Sequence, residues 1–300
     1  MQETAQVATA ERRTNFLTRL LEGRKWYGAE WYMTVIGALI VIFVVGTTVV
    51  SFLTPHLAPY DPEARVGAPF TPPSLKHPFG TDQLGRDILS RIIYGAQIVM
   101  QVALLSAVFS LLVGVPLGLL SGFLGGRLDQ VVSLIMDSIY SFPGLILAIA
   151  LAALLGSGVL NISIAIAVVY IPIFFRLVRG QVLSIKEELY VEAARSLGAP
   201  GRVILWRYIF PNVIPSVVVV FSLNIADAII TEAGLAFIGL GVDPSKPDWG
   251  YDIYRGRSEL VGGRWWPVTF PGLAIATVAL GFSLFGEGLS EILNPRLRES

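Results

Sequence analysis

The sequence predicts an all-α protein that crosses a membrane six times, and three observations lead there. Hydrophobic residues make up 54% of the 300 and charged residues only 15%, with a mean hydropathy of +0.66. A soluble domain of this length carries about 25% charged residues, so this much apolar surface calls for lipid as solvent. Six apolar stretches are each about as long as the roughly 20 residues a helix needs to cross a bilayer core. Thirty Gly and eighteen Pro lie among them, a mixture that membrane helices tolerate because neighbouring helices satisfy the backbone groups they free.

The spans are expected at 33–53, 98–124, 130–155, 159–178, 213–233 and 267–285. They are rich in Val, Ile, Leu and Ala and too long for buried strands. An outer-membrane barrel would instead show alternating segments of about ten residues, and none is present. The connections assigned to the inner side hold fourteen Lys or Arg, from Arg12 to Arg298, against eight outside, from Arg65 to Arg264. By the positive-inside rule both termini are then cytoplasmic.

Residues 1–31 read as a cytoplasmic and interfacial segment ahead of a membrane domain at 32–300. The polar first thirty residues do not resemble a cleavable signal peptide. Within them Phe16, Leu17, Leu20 and Leu21 recur at helical spacing between basic residues, the mark of an amphipathic helix lying in the interface. Trp26, Trp31 and Tyr32 would anchor it at headgroup level. On the outer side six prolines between Pro55 and Pro73 make 53–76 an extended loop. Thr81 or Asp82 is placed to cap a helix over 83–94. A second outer element is expected at 243–266, around Trp249 and Trp265-Trp266.

Several classes of chemistry are excluded or unsupported. No cysteine means no disulfide and no thiolate-held metal. His56 and His77 are too few for a histidine metal site, and no cofactor is expected. Zero net charge gives no support for nucleic-acid binding. No G-x-x-x-x-G-K-[ST] occurs, so the chain has no P-loop for nucleotide. A membrane enzyme would need a clustered His, Cys or Ser constellation, and none is visible.

The informative segment is the polar connection at 179–212. Val182, Ile185, Leu189, Ala193, Ala194 and Leu197 recur every three or four residues, the period of a helix rather than of a solvated loop. Gly198-Ala199-Pro200-Gly201 then stops that helix and turns the chain. A second amphipathic helix follows through Val203, Leu205, Trp206 and Ile209, ending at Pro211 and Pro215.

Glu192-Ala193-Ala194, three residues, Gly198, and then Pro211 resemble the EAA loop of ABC importer membrane subunits. Tyr208 and Phe210 depart from the usual Ile and Leu near its end. Pro78 to Arg91 (PFGTDQLGRDILSR), Ser141-Phe142-Pro143-Gly144, Ala233 to Gly241 (AGLAFIGLG), Pro247-Asp248-Trp249-Gly250, Phe270-Pro271-Gly272 and Asn294-Pro295-Arg296-Leu297 are similar to signatures of the dipeptide, oligopeptide and nickel permease family, C-type. The likeness runs from about residue 33 to the C-terminus.

That resemblance implies a type I importer-like fold, no catalytic residues, and half of a pore completed by a homologous B-type subunit. It implies two cytoplasmic ATPase subunits that touch Glu192, Ala193, Ala194, Leu197 and Gly198, and an extracytoplasmic solute-binding protein on the outer loops. Small alanines permit close approach, Glu192 can meet an Arg, and Gly198 can turn where larger residues cannot. Peptides are the implied cargo, with nickel or oligosaccharides as alternatives.

Ionisable residues inside spans are expensive and are functional candidates by default. Asp137, Asp227 and Glu232 qualify, and Glu287 and Glu291 lie near the last span's inner end. Two readings stand for the first three: a weak contact for a peptide's amino group, or an inter-helix hydrogen bond, the more ordinary use. An ion-coupled secondary transporter would use such carboxylates too, but it should show repeated halves and would leave the Glu192 segment without a purpose.

Overall fold

The computed structural model describes residues 32–49, 58–243 and 245–293, and side chains as far as 290. The interfacial helix expected before residue 31, Asn294-Pro295-Arg296-Leu297 and the Glu291 side chain lie outside these. Among the described residues the regular structure is helical, with one isolated bridge, Thr81 to Asp87, and no strand; 58–87 is a run of turns and bends. Among the described residues five helices are long and apolar enough to cross a membrane, or six when a bent pair is taken as one span.

Helix α1 spans Tyr32–Val49, α2 Ile88–Leu124, α3 Gly126–Tyr140, α4 Gly144–Leu155 and α5 Val159–Ile185. A short α6, Leu189–Ser196, follows. Helix α7 runs Gly201–Phe237 and contains a π-helical stretch at Ile204–Ile209. After it come α8, Trp249–Gly256, a 3₁₀ turn at Arg257–Gly262 and α9, Trp266–Leu293.

Three sequence expectations are corrected. The helix foreseen over 83–94 begins only at Ile88 and continues without a break into the second span. Asp82 caps a turn instead: its Oδ1 accepts from the amides of Leu84 at 2.8 Å and Arg86 at 2.9 Å, and Gly85 is left-handed (φ 76°). That closes a loop back on itself, and Asp87 becomes the N-cap by accepting from the Ser90 amide.

The third span is not straight. Helices α3 and α4 meet at 91°, because Pro143 has no N–H to donate and pushes Phe142 away from helical geometry. The polar connection is also shorter than 179–212: α5 reaches Ile185 and α7 starts at Gly201, leaving 186–200 as the true link.

Helices α2 and α5 form the central pair. Gly114, Gly118 and Gly122 lie four apart on one face of α2. A Cβ there would come within 2.7 Å of the Ile171 carbonyl, 2.7 Å of the Phe175 carbonyl and 2.9 Å of Val182. Such close backbones are how membrane helices gain dispersion energy without a hydrophobic driving force. Ser110 adds a bond across the pair, its Oγ donating to the Ala167 carbonyl at 3.1 Å. The core beside them takes Ala148 and Ala152 from α4, Ile225 and Ile229 from α7, and Phe282 from α9. By contrast, α1, α3 and α4 leave Leu39, Phe43, Leu134, Ile146 and Leu154 exposed, as helices facing lipid or another subunit do.

The end of the bundle opposite α6 is closed by a polar cap. Arg91, 1% exposed, donates to Asp252 at 2.6 Å and to the carbonyls of Pro62 and Lys246 at 3.2 Å each. His77 Nδ1 lies 2.9 Å from Asp87. Trp249 Nε1 donates to the Ile92 carbonyl and Trp266 Nε1 to that of Thr81. Burial pushes the Asp252 carboxyl up, and the Arg91 charge offsets part of that.

Candidate functional site

Helix α6 carries the Glu-Ala-Ala segment, and its two faces have different fates. Val191 and Ala194, three apart, are buried, and Val191 joins an apolar cluster with Val178 and Val182 of α5 and Ile204, Leu205 and Ile209 of α7. Leu189, Glu192, Ala193, Leu197 and Gly198 are on the surface, Leu189 being 80% and Leu197 89% exposed. Four of the five residues foreseen for ATPase contact therefore share one outward patch, whereas Ala194 faces the protein's own core.

The ends of α6 follow from local chemistry. Glu192 stands in the first turn and Arg195 in the last, both favourable to the helix dipole. At the C-terminus the Gly198 amide donates to the Arg195 carbonyl, and the Ala199 amide to that of Ala194, each at 3.0 Å. This pair of bonds is the Schellman arrangement, and it places Gly198 at φ 82°. Nothing lies within 4 Å of a Cβ built there, so backbone conformation, not space, selects glycine.

Beyond the turn the chain enters α7 through the wide stretch at Ile204–Ile209. Pro211 has no N–H, and its ring would press on the carbonyl four residues before it in a regular helix; a wider turn relieves that pressure. Asn212 connects the two helices, its Nδ2 donating to the Tyr208 carbonyl at 2.6 Å and to the Tyr190 hydroxyl at 3.3 Å. Partial burial, then the nearby Glu188, raise the Tyr190 phenol. Any displacement of α6 thus reaches α7 through Asn212 and the Val191 cluster.

The three candidate carboxylates do not form one site. Asp137, on α3, pairs with Arg176 of α5 at 2.7 Å, and both are about half exposed. The Arg176 guanidinium also stacks 4.0 Å above the Tyr140 ring. Asp227 lies on the exposed side of α7. Nearby on α5 and α7, Tyr170 and Thr231 share a hydrogen bond of 2.8 Å. Glu232 is five residues beyond Asp227, a rotation of about 140° on a helix, and is 1% exposed. It points into the protein toward Asp248 instead.

The sequence does not single out Arg176, one of the fourteen Lys and Arg assigned to the inner side. It lies inside α5. Its signal was a lone Arg within an otherwise apolar run, but the link to Asp137 needs the packing of α3 on α5. Among the described residues no group of three or more His, Cys, Asp or Glu is placed to hold a metal.

Comparison with known proteins extends this picture. Residues 114–299 match the family described as "Binding-protein-dependent transport system inner membrane component". A glutathione transport system permease protein, GsiD, of Pectobacterium atrosepticum is 41% identical over 86% of this chain and 86% of its own length. A probable D,D-dipeptide transport system permease protein, DdpC, of Escherichia coli is 40% identical over 88% of each. A chain of the inward-facing MetNI methionine ABC transporter shares the fold, with a TM-score of 0.55 at 16% identity over 68% of this chain and 96% of that one. Matches of this identity, each spanning most of both chains, leave one reading: the chain belongs to the binding-protein-dependent transport system inner membrane components, as a multi-pass inner-membrane protein of the peptide permease type.

Proposed function

We propose that this chain is one half of the pore of an ATP-driven importer of short peptides, and that α6 is where two separate ATPase subunits drive it. The observation that carries the reading is the division of α6, whose inward face is packed into α5 and α7 while Leu189, Glu192 and Leu197 stand unpacked beside it. An isolated loop would have no reason to expose two leucines around a glutamate. A nucleotide-driven partner that grips this patch moves α7 directly.

In this reading both termini and α6 are cytoplasmic, and the polar cap faces outward. A homologous B-type subunit supplies the other half of the pore. The solute-binding protein docks on the cap formed by 58–94 and 243–266. The peptide cargo is suggested by the glutathione and D,D-dipeptide permeases among the relatives. Asp227 and the Asp137–Arg176 pair belong to the path, since charges at membrane depth that remain exposed need water or a partner rather than lipid. Glu232 does not line the path, because no surface of it is free.

The test is coexpression with the cognate ATPases and binding protein, followed by uptake and copurification assays. Glu192→Ala and Leu197→Asp should each lose most ATP-dependent uptake and copurify less ATPase, with membrane levels unchanged. Normal uptake and normal ATPase recovery in both variants would remove α6 as the coupling element. Asp227→Asn should lower uptake without changing ATPase recovery.

A further inference from the structure

The carboxyl groups of Glu232 and Asp248 form a feature that pore and coupling leave unused. Each residue is 1% exposed. Both oxygens of Glu232 and Oδ2 of Asp248 have no donor, and the two side chains lie within hydrogen-bond reach of each other. Oδ1 of Asp248 is occupied, accepting from the Tyr251 amide as the N-cap of α8. Two ionised carboxylates cannot share such a buried space without repulsion, whereas one proton turns that repulsion into a charge-assisted hydrogen bond.

The surroundings make the pair a fastening rather than an isolated oddity. Gly250 sits against the Ala233 backbone with no room for a Cβ, so α8 lies directly on α7. Trp249 ties the same helix to α2 through the Ile92 carbonyl at 3.0 Å. Besides the pair itself, the charged groups around it are Asp252, whose charge acts on Asp248, and Arg91, which is bound to Asp252. No cation directly faces the pair among these groups.

We propose that Glu232 and Asp248 hold one proton between them, and that this proton locks α8 onto the cap end of α7. The site is therefore a proton-binding site beneath the outer cap, and loss of its ligand frees α8. It stands independently of the coupling reading, since it concerns the opposite end of the molecule.

The direction with pH follows from Asp248, which burial first of all lifts from 3.8 to about 6, with the Asp252 charge adding to the rise and the Tyr251 and Gly250 amides opposing it. A carboxyl raised in this way binds more protons folded than unfolded, so the contribution of the lock is present at low pH and is lost as pH rises through about 6.

The test uses the full chain in lipid nanodiscs, with hydrogen exchange of residues 249–256 followed from about pH 5 to about pH 8 after correction for intrinsic rates. Wild-type protection should fall roughly tenfold across that range, the change expected for about one unit of linked titration. Glu232→Gln and Asp248→Asn each supply an amide donor without a titrating proton, and their protection should be flat. Infrared spectra of wild type should show a protonated carboxyl band at low pH that both variants lack. A flat wild-type exchange profile, or a carboxyl band that survives in both variants, would overturn the proposal. Restoration of wild-type protection at high pH by added calcium or sodium would assign the site to a metal cation and overturn it too.

Discussion

The two ends of the molecule solve opposite problems. At the cap end, Arg91 is satisfied by three partners from separate segments, His77 by Asp87, and Trp249 and Trp266 by backbone carbonyls. At the α6 end, Leu189, Leu197 and Trp206 stand exposed, and the tie between α6 and α7 depends on Asn212 and one apolar cluster. A region whose buried arginine, histidine and indole groups are bound to several other segments of the chain holds its shape unaided. The cap also leaves Leu75 and Val261 exposed, so what sets the α6 end apart is how few polar bonds tie it to the rest of the chain. The cap is held by polar bonds within the chain, and in the proposed reading the α6 end is the joint that an ATPase subunit moves.

The comparison is broken most severely at Arg91. Arg91→Ala should destabilise the chain by about 3–5 kcal/mol, because it leaves Asp252 buried without its cation. Thermal unfolding in detergent or nanodiscs reads this as a large drop in midpoint. A change under about 1 kcal/mol would mean that the cap is not held by its ion pair.

A smaller effect is expected at the joint. Gly198→Ala forces a side chain into the left-handed region and should cost about 1–2 kcal/mol. Because the strain is confined to the end of α6, hydrogen exchange should rise at 189–199 and remain unchanged at the cap. Exchange that rises equally at both ends would show that the two regions are one cooperative unit.

Leu197→Ala should change stability by less than about 0.5 kcal/mol, since an 89% exposed side chain contributes little to folding. Uptake should nevertheless fall several-fold in the assembled transporter. Unchanged uptake would show that the exposed patch is not a working surface.

Much of this contrast was legible in the sequence, for identifiable reasons. Long apolar runs fixed the number of spans, and the three-to-four spacing around Glu192 with a glycine six residues later marked α6 and its end. What depended on tertiary neighbours was hidden. Glu232 and Asp227 both read as path candidates, and only the helical rotation together with the seat of α8 separates them. The 91° break had a local sign in Pro143, overlooked because the apolar pattern continues on both sides of it. The uninterrupted start of α2 at Ile88 was obscured by Asp82, a good capping residue whose side chain was already committed to a turn.

Helix α2 has one more consequence. Its 37 residues make a rod of about 55 Å, against a hydrocarbon core of about 30 Å, so it overhangs the bilayer. Its first turn is clamped into the cap by Asp87 and Arg91, and its far end is notched against α5 through Gly118 and Gly122. A beam fixed at one end and gripped at the other behaves as a tiller, with Pro116 between the two as its weakest turn. A tilt imposed near Gly122 is then felt at the clamped end as a strain on the bonds of Asp87 and Arg91. The cap and the α6 end, so different in construction, are then two stations on one piece of rigging.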